Sequence, residues 1–375
     1  MIMILIFCFA ISCEAGETSG TSSGDWNFFR GNVALSGYSN NRLPDKPVLL
    51  WTFKSEARTS SSPIVYDGTV FWTDKRGMIR GVDNNGKLIF QYDLKTAVEA
   101  TPLIYDSTLY IGRIDGFVTA ISLSKRKIIW NYETYGQISA TPNIADFDGK
   151  KGVVIGSYDN YLYCIDARNG NKINRFESGY YLNGAVAIQN NYALFGGCDA
   201  WLRIINCKTG IQTDSLLLDS YIPASPAIFA NTCYIGDHSG NIYEIKFEKG
   251  KIVGHKKIMT ANNDNSTFVS VPAVTEKNIY FILDDRNLYS VNRGDGTIKW
   301  KFLLKGNVGE SSPVVCFDKI IVCTKTGIIS IIDRDSGKLI WEYDTGEQII
   351  GSPAVIKNRF FVISTKGTVF CFGKN

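Results

Sequence analysis

Glu99 and Glu310 each stand three residues before a proline, at equivalent places in two copies of a repeated segment. Two carboxylates at one level of a ring could hold a cation such as calcium, which takes oxygen ligands. As charges on loops at a solvent-filled mouth they would simply stay hydrated. Other chemistry-bearing residues are sparse. The 375-residue chain has two histidines, His238 and His255, too few for a His-rich metal site or a His-based triad. Its nine cysteines include no Cys-x-x-Cys and no adjacent pair. Cys8 and Cys13 lie near the start; Cys164, Cys198, Cys207, Cys233, Cys316, Cys323 and Cys371 fall inside strand-like runs and read mostly as small buried hydrophobes. A Cys316–Cys323 disulfide across a hairpin stays open, because sequence does not give connectivity. Asp264, in the polar run 261–266, lacks the spacing of an EF-hand and reads as part of a mobile loop.

A second group of residues suits binding better than catalysis. Arg58, Arg113, Asp115, Tyr135, Tyr180, Tyr181, Asn183, Asp199, Tyr221 and Phe268 fall at turns between strand-like runs. Exposed Tyr with Arg is the usual make-up of an interface hot spot. The competing reading packs these rings between neighbouring repeats.

The elements that position these residues are repeats. A Ser/Thr-Pro step leads into a short apolar run at Pro63, Pro102, Pro142, Pro226, Pro272, Pro313 and Pro353, and Ala185 takes the place of proline in an eighth copy. The spacing averages about 41 residues. Each copy continues with an outgoing strand, an alternating strand such as NYLYCID at Asn160, a turn usually containing Gly, and a strand carrying a bulky residue: Phe90, Trp130, Phe176, Leu217, Met259, Trp300 or Trp341. Four short antiparallel strands in so short a unit predict a β-propeller blade, whose faces are buried only by its neighbours. The last copy lacks its fourth strand, and VLLWTFKS around Trp51 precedes the first copy without a blade of its own. The expectation is an all-β, single eight-bladed propeller of four-stranded antiparallel blades, closed by an N-terminal strand. The recurrent Trp residues read as packing between blades, and Asp83, Asp166 and Asp333 as turn-forming acids.

Residues 1–13 read as a signal peptide. The apolar stretch Met1 to Ile11 is too short for a bilayer core, which takes about 20 helical residues. Ala10-Ile11-Ser12-Cys13 resembles a bacterial lipobox, with Cys13 as the lipid attachment site, although no Lys or Arg precedes it. Residues 14–24 are small and polar and read as a flexible tether, leaving 25–375 for the propeller. Glu14 after the cysteine favours an outer-membrane lipoprotein facing the periplasm; a secreted protein is the other reading. The formal charge of +4, without basic runs, argues against nucleic acid as a partner.

The Ser/Thr-Pro strand, the alternating strand and the Gly-turn-Trp strand together resemble the PQQ-like repeat family, and DWNFFRGNVALSGYS at Asp25 resembles the W-x-x-F-R-G-N leader of its secreted members. The resemblance spans 25–375. It implies one of two functions. The BamB-like branch is non-catalytic: envelope scaffolds whose partners are other envelope proteins, including the barrel-assembly machine. The quinoprotein dehydrogenases hold pyrroloquinoline quinone (PQQ) and calcium, often against a vicinal cysteine pair, which this chain lacks. The expectation is a monomeric, non-catalytic scaffold or binding protein without cofactor or metal. A PQQ- and calcium-dependent dehydrogenase and a ligand-binding surface lipoprotein are the alternatives. The channel-mouth or partner-binding candidates are Arg58, Glu99, Tyr180, Tyr181, Asn183, Tyr221 and Glu310.

Overall fold

Strands of three to seven residues, ended by turns with Gly or Asn/Asp at positive φ, recur throughout a computed structural model that describes residues 25–260, 267–268 and 270–374. They assemble into eight sheets, seven of them four-stranded and one five-stranded. Blade one illustrates the pattern: Ile64–Tyr66, Thr69–Thr73, Met78–Val82 and Leu88–Asp93 pair antiparallel in sequence order. Inner strands of neighbouring blades touch one another, for example Asn143–Phe147 against Ala187–Gln189, so the first strand of each blade lines the axis.

The apolar core lies between blades. Ile64, Phe71, Ile79 and Phe90 of blade one pack on Ile104, Leu109, Ile111 and Ile121 of blade two. Blades five and six meet through Tyr234, Ile242, Phe281 and Tyr289. Two-sided burial explains why the second and third strands are near-continuous Val/Ile/Leu/Phe runs instead of clean alternations. The outer strands alternate, because one of their faces meets water.

The ring closes as the repeat count requires. Val48–Lys54 pairs antiparallel with Thr368–Gly373, with Trp51 opposite Cys371. The strand that precedes blade one in sequence is therefore the outer strand of blade eight. Trp51, Trp130 and Trp300 play one packing role. Each indole lies on a turn glycine of the next blade, Gly86, Gly170 and Gly337, where a Cβ would come within 2.9, 2.7 and 2.5 Å of the ring. Each also donates its Nε1–H to a carbonyl of that turn, of Asn84, Ala167 and Arg334 at 2.8, 3.0 and 3.2 Å. The Ser/Thr before the recurrent proline has its own task. The N–H of Ser62 donates to the Thr101 hydroxyl, Val271 to Ser312, Ser312 to Ser352 and Ser352 to Ser62, all at 2.9–3.0 Å. These bonds tie neighbouring inner strands together at the axis.

Two readings left open by the sequence are decided. Cys316 and Cys323 are both buried free thiols, not a disulfide. Within their hairpin Cys316 faces Lys319, while Cys323 faces Ile329 of the following strand, so the register separates them. Phe268 is not an exposed tip. It is buried on Gly236 and stacks on Phe281 at 5.5 Å, because a ring is needed to fill the space left by that glycine. Cys8, Cys13, the 14–24 segment and the loop at Asp264 lie outside the described residues. Among the described residues no helix is long and apolar enough to cross a membrane.

Candidate partner-binding face

The two ends of the axis differ. One carries the loops that lead into the inner strands, together with the turns between second and third strands. The other carries the hairpins between first and second strands and the leader that begins at Asp25. The predicted site residues lie on the first end, since they precede the prolines of the inner strands.

Each loop entering a blade is seated between two turns. Leu182 donates its N–H to Ser157, and Ser178 to Asn160, in the turn of blade three. Ile222 donates to Gly197 in blade four, and Tyr221 accepts the N–H of His238 in blade five at 2.8 Å. With main-chain polar groups engaged beneath, the side chains at the loop tips are turned outward. Tyr135 is 84% exposed, and Tyr180, Tyr181 and Tyr221 are also exposed. Tyr181 stacks flat on Tyr158 at 5.1 Å, and Tyr221 on His238 at 4.2 Å. Trp201 and Cys198 complete an exposed arc across blades three, four and five. The adjacent Cys198 raises the Tyr181 phenol above its ordinary value.

The carboxylates beneath this arc are hydrogen-bonded. Asp159 accepts the Tyr163 hydroxyl at 2.6 Å and the Tyr135 N–H at 2.9 Å. Burial, then Asp159 itself, pushes the Tyr163 phenol upward. Asp199 holds Arg203 through both carboxylate oxygens. Asp237 accepts the Tyr243 hydroxyl at 2.9 Å and Asn241 Nδ2 at 2.8 Å. The arc thus presents rings and hydroxyls over hydrogen-bonded carboxylates, a surface that can bury aromatic area and donate hydrogen bonds.

The remaining candidates stand elsewhere on the same end. Arg58 is exposed, and its carbonyl accepts the Lys75 N–H at 2.8 Å. Glu99 pairs with Lys75 Nζ at 3.0 Å. Glu310 and Asn183 are exposed. Of the predicted set, the structure brings Tyr180, Tyr181, Asn183 and Tyr221 into one region and places Arg58, Glu99 and Glu310 around the rest of the ring. Arg113 pairs with Asp115.

Tyr158, Cys198, His238 and Trp201 were missed. A signal existed for the first three. They occupy the same turn position in blades three, four and five, where blades one and seven carry Lys75 and Lys325. Their adjacency across three repeats is visible only once the repeats are aligned as a ring.

Glu99 is committed to Lys75, and among the described residues no three His, Cys, Asp or Glu side chains are grouped to hold a metal ion.

The family model described as outer membrane protein assembly factor BamB matches residues 46–196 and 221–374. The chain belongs to this family. An outer membrane protein assembly factor BamB of Shewanella oneidensis is 23% identical over 281 residues, covering 69% of this chain and 67% of that protein. The crystal structure of BamB from Moraxella catarrhalis superposes with a TM-score of 0.72 at 16% identity, over 88% of this chain and 98% of that one. A quinohemoprotein alcohol dehydrogenase from Comamonas testosteroni superposes with a TM-score of 0.76 at 13% identity, over 94% and 81%. Likeness at this identity shows a shared propeller and no more.

Proposed function

We propose that this chain is a non-catalytic envelope scaffold that takes part in outer-membrane protein assembly by docking a partner protein on the Tyr arc of blades three to five. The observation that carries the reading is the arc itself: Tyr135, Tyr158, Tyr180, Tyr181, Trp201 and Tyr221 are exposed at one end of blades three to five of a BamB-family propeller. Tyr and Trp bring large contact area with few rotatable bonds, so little is lost on ordering them. The rigid ring beneath holds them at fixed spacing.

Geometry also supports an orientation. The described chain enters at Asp25, whose carboxylate accepts the Asp67 N–H in the first hairpin of blade one, on the end of the axis opposite the arc. An anchor at Cys13 would hold the hairpin end toward the membrane and leave the arc facing the periplasm. Lipidation of Cys13, an outer-membrane location and barrel-assembly partners are parts of this proposal.

The test is affinity capture from detergent-solubilised envelopes with the full chain and with the double variant Tyr181→Ala/Tyr221→Ala. Recovery of barrel-assembly components by the first and at least about tenfold less by the second, at equal stability, is the expected result, two hot-spot truncations costing about 2 kcal/mol or more together. Equal recovery by both removes the arc from the reading. Turnover of alcohols or sugars with a dye acceptor after addition of PQQ and calcium would replace the scaffold with the enzyme.

A further inference from the structure

The leader makes contact with every blade, in order. Trp26 exchanges N–H···O bonds with Val65 of blade one at 2.8 and 2.9 Å. Asn27 accepts the Ile104 N–H of blade two at 3.1 Å and donates Nδ2 to the Ile104 carbonyl at 2.8 Å. The Val33 carbonyl accepts Asn143 Nδ2 of blade three at 2.8 Å and the Ile188 N–H of blade four at 2.7 Å. Ala34, Ser36 and Gly37 accept the N–H groups of Ile228, Val274 and Val315 of blades five, six and seven, each at 2.8 Å. Tyr38–Ser39 then adds a parallel strand to blade seven, and the Arg42 carbonyl accepts the Asn358 N–H of blade eight at 3.1 Å. One turn of the chain thus makes one circuit of the ring.

Arg30 stands within that circuit. It is 1% exposed and sits at φ 61, in the left-handed region. Its guanidinium donates to the Pro313 carbonyl at 2.6 Å and to the Pro272 and Val271 carbonyls at 3.2 and 3.3 Å. These partners are backbone carbonyls, and burial draws the guanidinium pKa down to about 9. Gly37 lies against it so closely that a Cβ there would fall 2.0 Å from a guanidinium nitrogen. The fixed planar fork of a guanidinium lets one side chain serve carbonyls on two blades at once.

We propose that residues Asp25–Arg42 form a clasp separable from the ring, an internal ligand that seals one end of the axis and is pinned by Arg30 to blades six and seven. Ring closure by Val48–Lys54 is independent of it. The clasp holds through at least one contact per blade and releases as a unit.

The test uses the full chain with a specific protease site inserted between Lys46 and Pro47, a stretch beside the exposed Asp45. After cleavage the N-terminal piece should stay with the ring on native size exclusion, and the amides of Val65, Ile104, Ile188, Ile228, Val274 and Val315 should keep their protection from hydrogen exchange. Arg30→Met should weaken retention on the order of tenfold or more, since buried carbonyls lose their donors. Those six amides should then exchange faster while the sheet signal persists. Gly37→Ala, whose Cβ would fall on the Arg30 guanidinium, should act in the same direction if Arg30→Met fails to fold. Immediate loss of the piece from the cleaved native chain overturns the clasp. Unfolding of the ring when the piece leaves overturns its separability.

Discussion

Ser352 donates its backbone N–H to the Ser62 hydroxyl at 2.9 Å, across 290 residues of chain. The same bond runs from Ser312 to Ser352 and from Ser62 to Thr101. What looks in sequence like a turn motif is therefore a belt of bonds between blades, set where proline has already removed the next donor.

Ser62→Ala leaves the buried Ser352 N–H without its acceptor and should lower stability by about 1–3 kcal/mol. Ser62→Thr keeps the hydroxyl and should recover most of it. Urea unfolding of the two variants at constant m-value checks this, and equal midpoints for Ala and Ser would dismiss the belt.

Gly170 and Gly149 separate packing from backbone conformation. Both hold positive φ, +73 and +86, but a Cβ at Gly170 meets the Trp130 ring at 2.7 Å, while at Gly149 nothing lies within 4 Å. Gly149→Ala should cost only the left-handed strain, about 1–2 kcal/mol. Gly170→Ala should cost more, with Trp130 fluorescence shifted as the indole moves. Identical melting temperatures for the pair would contradict the docking role of the glycine.

Among the described cysteines, Cys198 alone is exposed. Burial pushes the thiols of Cys164, Cys323 and Cys371 up to about 12 and disfavours their thiolates. Peptide mapping after brief alkylation of the native protein should find label on Cys198 and on the other six only in denaturant. Rapid native labelling of Cys323 would mean that its blade opens easily.

Acid should destabilise the ring through its turns. Backbone N–H groups of Lys87 and Asn85 hold Asp83 below the ordinary carboxylate value, and Ser336 does the same to Asp333. A depressed folded value means that the stabilisation is present above the unfolded value, about 3.9, and is lost as pH falls through the folded one. The urea midpoint should stay level from pH 7 to about 5 and drop below about pH 4. Asp333→Asn should flatten that limb, and an unchanged limb would assign acid sensitivity to other groups.

The sequence alone determined the architecture. Eight copies of a Ser/Thr-Pro strand, a final copy short of its outer strand and a spare strand around Trp51 admit a closed eight-bladed ring, because each blade needs neighbours on both sides to bury its apolar faces. The Trp residues and turn acids were legible for the same reason: they recur at fixed places in the repeat. Whatever breaks the repeat was decided by tertiary structure. Phe268 looked like a loop tip because the sequence does not show that Gly236, in the neighbouring blade, leaves a hole for its ring. The Tyr arc needed Tyr158, Cys198 and His238 to be brought beside Tyr181 and Tyr221 from successive blades. The circuit of the leader and the burial of Arg30 among carbonyls of blades six and seven depend on contacts across more than two hundred residues, which local pattern does not record.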